Sequence, residues 1–352
     1  MTVIDGALRR VTLSDVAKRA NVSLGTASKV VNQRGGVGDD TRVRVEEAAD
    51  ALGYVGLAER QRATTLAGES TIEVLIEPED VSNPYLASFI GGALETAGAA
   101  STGLLVRAIS SIAAESPTAW ASTLARSGRV GVIEVTSTYS HARERALRAV
   151  GLAMVLVDPI DVPRTTTPSI GATNWAGAYE ATRHLLELGH IRIAYIGGPP
   201  KAACDVVRAH GWAAAMSEAG YRVDLDRIPR RAYSFEHGLE AATVLLRAPH
   251  RPTAIFAGSD VSAMGVLEAA RRLGISVPDD LSVVGFDDTI LARTATPPLT
   301  TVHQPIADIG RTAVSTLLRV SAGEPQATKR VELSTHLVVR ASTAPPRPER
   351  TS

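Results

Sequence analysis

Three aspartates lie where a parallel sheet would bring them to a ligand. Asp158, Asp260 and Asp287 each lie just past the end of a predicted strand. Doubly wound sheets bind their ligands at the carboxyl ends of the strands. A carboxylate there can accept paired hydrogen bonds from vicinal sugar hydroxyls. The pattern therefore indicates a site for a small molecule at these strand ends, although Asp158, which Pro159 follows, is equally suited to capping a turn.

A second group of candidate residues lies near the N-terminus, where a tight turn joins two short predicted helices. Thr12 and Asp15 fit a capping box for the first helix, and Ser23 can cap the second. Residues 1–34 carry six cations against two acids, whereas the whole chain has 37 Lys plus Arg and 37 Asp plus Glu. Phosphate binding requires such a local surplus of positive charge. Spacing and charge alone fit a DNA-binding helix-turn-helix and a solvated helical bundle equally well.

The elements that position these residues are an N-terminal set of helices and, after it, a longer region in which strands and helices alternate. Three helices are predicted between Val11 and Leu52, followed by a polar linker over 54–70. The predicted strands beyond the linker are Ile72–Ile76, Leu104–Val106, Val130–Val135, Val155–Val157, Ile191–Ile196, Thr253–Ala257 and Leu281–Val284. The helices between them include Ala176–Leu188, Ser262–Leu273 and Ile306–Val320. This alternation is typical of parallel sheets covered on both faces.

The composition and the motifs exclude several classes of protein. With 352 residues, 45% of them hydrophobic, the chain is neither disordered nor short of core material. Its single cysteine, Cys204, cannot form a disulfide framework, which fits a reducing cytoplasm. No apolar segment suggests secretion or a membrane span. Phosphate-cradling glycine loops, a nucleophile elbow and a zinc helix are missing, so we expect no enzyme, no metal and no cofactor.

The helical N-terminal segment closely resembles the headpiece of LacI-type transcriptional regulators. The runs that carry the resemblance are Val11–Ala20, Val22-Ser23, Thr26–Asn32, Thr41-Arg42 and Leu52–Tyr54. The resemblance implies that the second helix enters the major groove and places Leu24, Gly25 and Lys29 at base-reading positions. Lys29 can donate to guanine O6 and N7, and Leu24 can contact a thymine methyl. The remaining implied DNA contacts, some of which can also cap helices, are Thr12, Ser23, Thr26, Ser28 and Asn32.

One segment departs from the family pattern. The family continues after its Gly-Tyr pair with Pro-Asn and then an Ala-Arg-x-Leu hinge, whose leucine enters the minor groove. This chain instead has Val55-Gly56-Leu57 and a longer spacing before Leu66-Ala67-Gly68. We expect Leu66 to take the place of the hinge leucine, with Leu57 as the alternative.

The rest of the chain resembles the periplasmic-binding-protein-like core of the same family. The matching runs are Ser82–Tyr85, His184–Leu186, Gly189-His190, Ile196–Gly198, Gly258–Asp260, Val284–Asp288 and Pro297–Val302. The run Gly171–Gly177 is similar to actinobacterial members thought to regulate the use of xylose or related sugars. The effector contacts that the aspartates and the resemblance together imply are Asn83, Tyr85, Asp158, Asn174, Arg208, Tyr233, Asp260 and Asp287.

Several of these positions have competing interpretations that the sequence leaves open, and for Asp287 the alternative is the capping of a turn. Arg208 falls where the family places an arginine on the ligand, but a solvated helix charge is its alternative. Tyr85 and Tyr233 fall where the family presents aromatic faces to the ligand. Trp175, beside Asn174, fits a packing anchor better than a stacking platform.

The expected architecture is an N-terminal all-α helix-turn-helix headpiece and an α/β periplasmic-binding-protein-like core of two doubly wound parallel-sheet subdomains. The predicted boundaries are a headpiece with hinge over 9–66, a core over 71–343 and a disordered tail over 344–352. Within the core we expect one lobe over 71–172 and 304–330, and the other over 173–303 and 331–343.

The expected function is that of a sequence-specific repressor of carbohydrate-utilisation genes. As a cytoplasmic, nucleoid-associated homodimer with no membrane partner, it would bind a palindromic operator under the control of a small sugar between its lobes. One alternative is a regulator with a non-sugar effector or co-repressor, such as a purine. Another is a free-standing sugar-binding protein, which would not carry the basic headpiece.

Overall fold

The computed structural model describes residues 11–31, 36–54, 70–113, 115–161, 167–326 and 328–347. A small helical unit comes first and comprises α1 (Leu13–Arg19), α2 (Leu24–Val31) and α3 (Asp39–Leu52). Its core is built from short apolar side chains, among them Val16, Ala27, Val30 and Val45. The small size of these side chains allows three short helices to pack closely.

The remaining elements follow in chain order and form two lobes. The chain first runs through β1 (Ser70–Ile76), α4 (Pro84–Ala99), β2 (Thr102–Ala108), α5 (Pro117–Arg126), β3 (Arg129–Val135), α6 (His141–Ala149), β4 (Ala153–Val157) and β5 (Ser169–Ala172). It continues through α7 (Asn174–Glu187), β6 (Ile193–Ile196), α8 (Ala203–Glu218), α9 (Phe235–Arg247), β7 (Ala254–Ala257), α10 (Asp260–Arg272), β8 (Ser282–Asp287), α11 (Ile290–Thr294) and β9 (Thr300–His303). It ends with α12 (Ile306–Ser321), β10 (Arg330–Leu333) and β11 (His336–Val338).

Each lobe is built on one sheet. The first sheet has six strands in the order β10-β5-β4-β3-β1-β2, and all of its pairs are parallel. The second has five strands in the order β11-β9-β8-β7-β6, and only β11 runs antiparallel to its neighbour. The central strands, such as β4 and β7, are buried along their whole length because helices cover both faces of each sheet.

The chain passes between the lobes three times, after β5, after β9 and after β10. Two of these crossings are bonded to each other, because the Thr335 amide donates to Thr173 Oγ1 at 2.9 Å and the Thr335 hydroxyl donates to the Thr173 carbonyl at 3.1 Å. Val331 pairs with Ile170 in the first sheet, so residues 331–333 belong to the first lobe and not, as predicted, to the second.

The start of the predicted disordered tail is part of the folded core. His190 bonds to the Ala344 carbonyl at 2.9 Å, and Arg347 pairs with Asp279 at 3.0 Å and with Asp280 at 2.7 Å. These contacts hold residues 344–347 against the second lobe, whereas residues 348–352 lie outside the described part of the chain. Among the described residues, no helix is both long and apolar enough to span a membrane.

Candidate functional site

The turn between α1 and α2 has the local bonds that a helix-turn-helix requires. Asp15 Oδ2 accepts from the Thr12 amide at 2.8 Å and from the Thr12 hydroxyl at 2.7 Å, which fixes the start of α1. Asn21 adopts a left-handed backbone with φ of 53° and so reverses the chain. Ser23 Oγ accepts from the Thr26 amide at 3.1 Å and begins α2. Thr12 and Ser23 therefore both cap helices.

The surface of α2 that faces away from the core carries the predicted base-reading residues. Leu24 is 55% exposed, and Gly25 and Lys29 are also exposed, whereas Ala27 and Val30 on the opposite side are buried. Thr26 and Ser28 are half-buried beside this face. The structure thus leaves an apolar side chain and a cation free to approach a base edge. Asn32, Leu57 and Leu66 lie outside the described residues, so their predicted roles stay predictions.

Charge is unevenly distributed among the three helices. The segment 11–31 carries Lys18, Arg19 and Lys29 against Asp15, and all three cations are exposed. The five acidic residues of α3 outnumber its two arginines, Arg42 and Arg44, and are Asp39, Asp40, Glu46, Glu47 and Asp50. By net charge, a polyanion is therefore attracted to α1 and α2 and repelled by α3. This distribution agrees with the predicted placement of α2 in the major groove of DNA.

A cavity of about 680 Å³ lies between the two lobes. The first lobe contributes Asn83, Tyr85 and Asp158 to its wall, and the second contributes Arg208, Tyr233 and Asp287. The structure thus brings six of the eight predicted effector-binding residues to one cavity. Its volume lies within the range of about 300–1,000 Å³ that is usual for small-molecule sites.

On the first-lobe side, Tyr85 and Asp158 form a bonded pair. The Tyr85 hydroxyl donates to Asp158 Oδ2 at 2.5 Å, and Asn83 Oδ1 accepts from the Tyr85 amide at 3.0 Å to cap α4. Asp158 has a left-handed backbone with φ of 40°, which few non-glycine residues adopt. Burial raises the pKa of the Asp158 carboxyl. The pair presents one phenol and one carboxylate to a ligand.

On the second-lobe side, Arg208 is a buried hub. Its Nε donates to Asn174 Oδ1 at 2.7 Å, and its Nη1 donates to the Gly258 carbonyl at 2.6 Å. Its guanidinium carbon lies 3.7 Å from the centre of the Phe286 ring, and Nη1 lies 4.0 Å from Asp287 Oδ1. Only 4% of Arg208 is exposed, so it is not a solvated helix charge. Its Nη2 has no hydrogen-bond acceptor among the described residues and can donate to a ligand.

Tyr233 and Asp287 complete this wall. The Tyr233 hydroxyl donates to Asp205 Oδ1 at 3.1 Å, which orients the phenol ring. The ring requires a glycine at position 198, because a Cβ there would lie 2.3 Å from Tyr233 Cζ. Asp287 Oδ1 accepts from Gln304 Nε2 at 2.6 Å, and burial raises the pKa of the Asp287 carboxyl.

Two predicted effector contacts have other positions. Asp260 is fully buried and absent from the cavity wall, since its Oδ1 accepts from Thr301 at 2.6 Å and its Oδ2 accepts from the Thr289 amide and hydroxyl at 2.7 and 2.9 Å. With its carboxylate fully engaged, Asp260 joins α10 to the loop at Thr289 and to β9 at Thr301, and we withdraw it from the candidate set. Asn174 supports Arg208 and lines an adjoining chamber.

The cavity wall also contains acidic residues that the sequence analysis missed. The end of β1 is followed directly by Glu77, Glu79 and Asp80. The rule that ligands bind at the carboxyl ends of parallel strands, which pointed to Asp158, therefore applies to these residues as well. Burial raises the pKa of Glu77 and of Asp80, and the neighbouring Glu79 raises both further. With Glu236, the wall carries six carboxylates and one guanidinium.

Comparisons with known proteins match the whole described architecture. The model described as bacterial regulatory proteins, lacI family, matches residues 12–56, and that of a periplasmic binding protein-like domain matches residues 182–343. The HTH-type transcriptional regulator DegA of Bacillus subtilis (strain 168) is 36% identical, over 96% of this chain and 99% of its own. A transcriptional regulator CelR–cellobiose complex is 30% identical with a TM-score of 0.70, over 95% of this chain and 100% of that chain. The lac repressor dimer bound to operator and the anti-inducer ONPF is 26% identical with a TM-score of 0.66, over 96% and 100%.

Proposed function

The chain belongs to the LacI family of bacterial regulatory proteins, and on that basis we propose that it represses carbohydrate-utilisation genes under the control of a neutral saccharide. As a member of this family it is a DNA-binding transcriptional regulator with a helix-turn-helix, and not an enzyme. The observation that carries the proposal is the interlobe cavity, where hydroxyl-binding groups of both lobes meet.

We propose that the chain acts as a homodimer at the nucleoid. The exposed Leu24, Gly25 and Lys29 would read one half-site, and a twofold partner would read the other half of a palindromic operator. The similarity to the lac repressor dimer, which extends over 96% of this chain, supports this arrangement. The uneven charge of the headpiece supports the assignment of α2 to the major groove.

The charge of the cavity favours an uncharged polyol. Six carboxylates surround a single guanidinium, and Arg208 already bonds to Asn174 and Gly258. A phosphorylated sugar or a nucleotide would bring further negative charge into a partly desolvated, negative site, which is costly. Sugar hydroxyls, by contrast, can donate to Asp158 and Asp287 and accept from Arg208 Nη2. The similarity to a regulator solved with cellobiose also supports a sugar.

The position of the cavity supports control by the ligand. A saccharide that bonds to Asp158 in one lobe and to Arg208 and Asp287 in the other would favour the lobe arrangement in which all of these bonds form. Such a ligand shifts the equilibrium only by its difference in affinity for the two arrangements. Couplings of about 1–3 kcal/mol, or roughly 5–150-fold in affinity, are usual for such linkage.

Calorimetric titration of the full-length protein tests the choice of effector class. The panel contains neutral mono- and disaccharides, their 6-phosphates, and adenosine and hypoxanthine. We expect at least one neutral saccharide to bind and its phosphate to bind at least tenfold more weakly. Binding of a sugar phosphate or a purine in preference to every neutral sugar would contradict the proposal. The double variant Glu77→Gln/Glu79→Gln lowers the negative charge of the cavity wall. It should therefore reduce the difference in affinity between each sugar and its phosphate.

A further inference from the structure

The interlobe cavity has a side chamber of about 350 Å³. Asp158 and Cys204 line both spaces, so the two adjoin at these residues. The remaining lining comes from the segment 169–176, which contains β5 and the start of α7, from Arg330 and Glu332 on β10, and from Pro159, Ala203 and Val207. It therefore extends from the interlobe cavity toward the β10 edge of the first sheet.

The two oxygens of Asp158 point to different sides of the junction. Its Oδ2 accepts from Tyr85 in the interlobe cavity, whereas its Oδ1 lies 2.7 Å from the place a Cβ would occupy on Gly171, which lines the side chamber. A side chain at position 171 would displace this carboxylate oxygen from its present place. Oδ1 has no hydrogen-bond donor among the described residues, so it can accept from a ligand hydroxyl at the junction.

Trp175 gives the side chamber an aromatic surface. It lines the chamber with 44% of its surface exposed, whereas Trp120 and Trp212 are 1% and 5% exposed and pack in the cores. The expected role of a packing anchor therefore does not fit Trp175. Its ring is stacked on Tyr179, one turn later in α7, with centroids 5.0 Å apart and an angle of 12° between the planes. Tyr179 thus packs against one face of the indole.

We propose that the side chamber is a second saccharide subsite, so that the effector has at least two sugar rings, with the second ring on Trp175. This inference rests on the proposed saccharide effector and specifies the number of sugar rings that it has. Aromatic side chains stack on the apolar faces of flat ligands, while polar groups at the rim bind the edges. Asp158 Oδ1 lies where the two rings join. The exposed Arg330 and Glu332 pair with each other at 2.6 Å, and their remaining polar atoms can bond to hydroxyls of the second ring.

The test is a series of ligands of increasing length. Full-length protein is titrated with glucose, cellobiose and cellotriose, with maltose and maltotriose, and with xylose, xylobiose and xylotriose. In the series that binds, we expect the disaccharide to bind at least tenfold more tightly than the monosaccharide. Trp175→Ala should lower disaccharide affinity by about three- to tenfold and leave monosaccharide affinity unchanged, and Trp175→Phe should retain most of the gain.

Matched variants separate the subsite from general damage to the fold. Ile191→Ala removes an apolar side chain that is 52% exposed and lines neither space, so it should change no affinity. Tyr85→Phe, in the interlobe cavity, should weaken the monosaccharide and the disaccharide alike. Equal binding of mono- and disaccharide, or an equal loss of both in Trp175→Ala, would overturn the second subsite while leaving the saccharide effector intact. Binding of no saccharide at all would overturn both proposals.

Tryptophan fluorescence gives an independent readout. The chain has three tryptophans, and two of them are buried, so the emission at long wavelength comes mainly from Trp175. We expect the disaccharide to shift this emission to shorter wavelength as a sugar ring covers the indole, and the monosaccharide to leave it unchanged. Absence of a shift in a saturated complex with the disaccharide would refute the contact.

Discussion

Replacing Arg208 by alanine removes the group that ties together four segments of the second lobe. Arg208 on α8 bonds to Asn174 at the start of α7 and to Gly258 after β7, and it packs on Phe286 and faces Asp287 in β8. Its loss leaves the Gly258 carbonyl without this donor and the buried Asp287 carboxylate without its nearest cation. We therefore expect Arg208→Ala to lower both the stability of the lobe and its response to an effector.

The contacts set the size of the effect. Hydrogen bonds from a charged donor contribute about 1.5–3 kcal/mol each, and a desolvated cation–π contact contributes up to about 2 kcal/mol. Removing arginine also relieves the cost of burying its charge, which offsets part of this sum. Removing one partner of a buried ion pair costs about 3–5 kcal/mol. We expect Arg208→Ala to lower the free energy of unfolding by an amount in this range.

Urea unfolding followed by circular dichroism measures this loss as a lower midpoint at constant slope. Arg271→Ala is the control, because Arg271 is 72% exposed and pairs with Glu268 on the surface of α10. The control should unfold close to wild type, since exposed ion pairs are screened by solvent. If Arg208→Ala unfolds at the same urea concentration as Arg271→Ala and still responds to the saccharide, the role assigned to Arg208 is refuted.

Three further predictions concern the headpiece, the titration of the core and the independence of the two parts. Lys29→Ala should cost about 1–3 kcal/mol of operator binding and relax the preference at one base pair, measured by fluorescence anisotropy on operator variants; a uniform loss on every sequence would make Lys29 a phosphate contact. Burial and the charge of Asp287 raise the pKa of Asp260. Above about pH 4 the unfolded chain releases the Asp260 proton while the folded core keeps it, so the free energy of unfolding falls as the pH rises. Asp260→Asn should therefore gain stability relative to wild type between about pH 5 and pH 8 in thermal unfolding, and a difference that does not change with pH would refute this. Deleting residues 1–69 should leave a core that still binds the saccharide by calorimetry, whereas loss of all binding would refute a self-contained effector domain.

The sequence predicts the central strands well because they are continuous apolar runs. The run at Ala153–Val157 is buried at every position, and this pattern appears in the sequence whatever the tertiary contacts are. The predicted fold class and family are confirmed by the family models and by the similar solved structures. The predictions therefore succeed wherever the local pattern alone determines the element.

The edge and crossing strands escaped prediction because neighbours determine them. Ser169–Ala172 has four residues with a glycine among them, and Arg330–Leu333 alternates between exposed and half-buried residues at the edge of the sheet. Neither segment has a pattern that distinguishes it from a loop, and each becomes a strand through pairing with the other. The misplaced lobe boundary near residue 330 follows from the same omission.

Among the site residues, the rule of strand ends locates side chains but not their partners. It identified Asp158, Asp260 and Asp287 equally. The Asp260 carboxylate, however, accepts hydrogen bonds from Thr289 and Thr301, which lie 29 and 41 residues away in sequence. No local pattern reports such bonds. The exposure of Trp175 likewise depends on how α7 packs against α8 and the second sheet, which a single sequence does not show.

Operator affinity with and without the saccharide is the most direct test of the central claim that the interlobe cavity controls DNA binding. The full-length protein is titrated onto DNA from its own upstream region at fixed salt, because phosphate contacts make affinity depend on salt. We expect a saccharide that binds the cavity to change specific operator affinity at least fivefold, and Asp287→Asn to bind operator normally without that response. Specific operator binding that stays the same with the cavity saturated by saccharide would contradict the account.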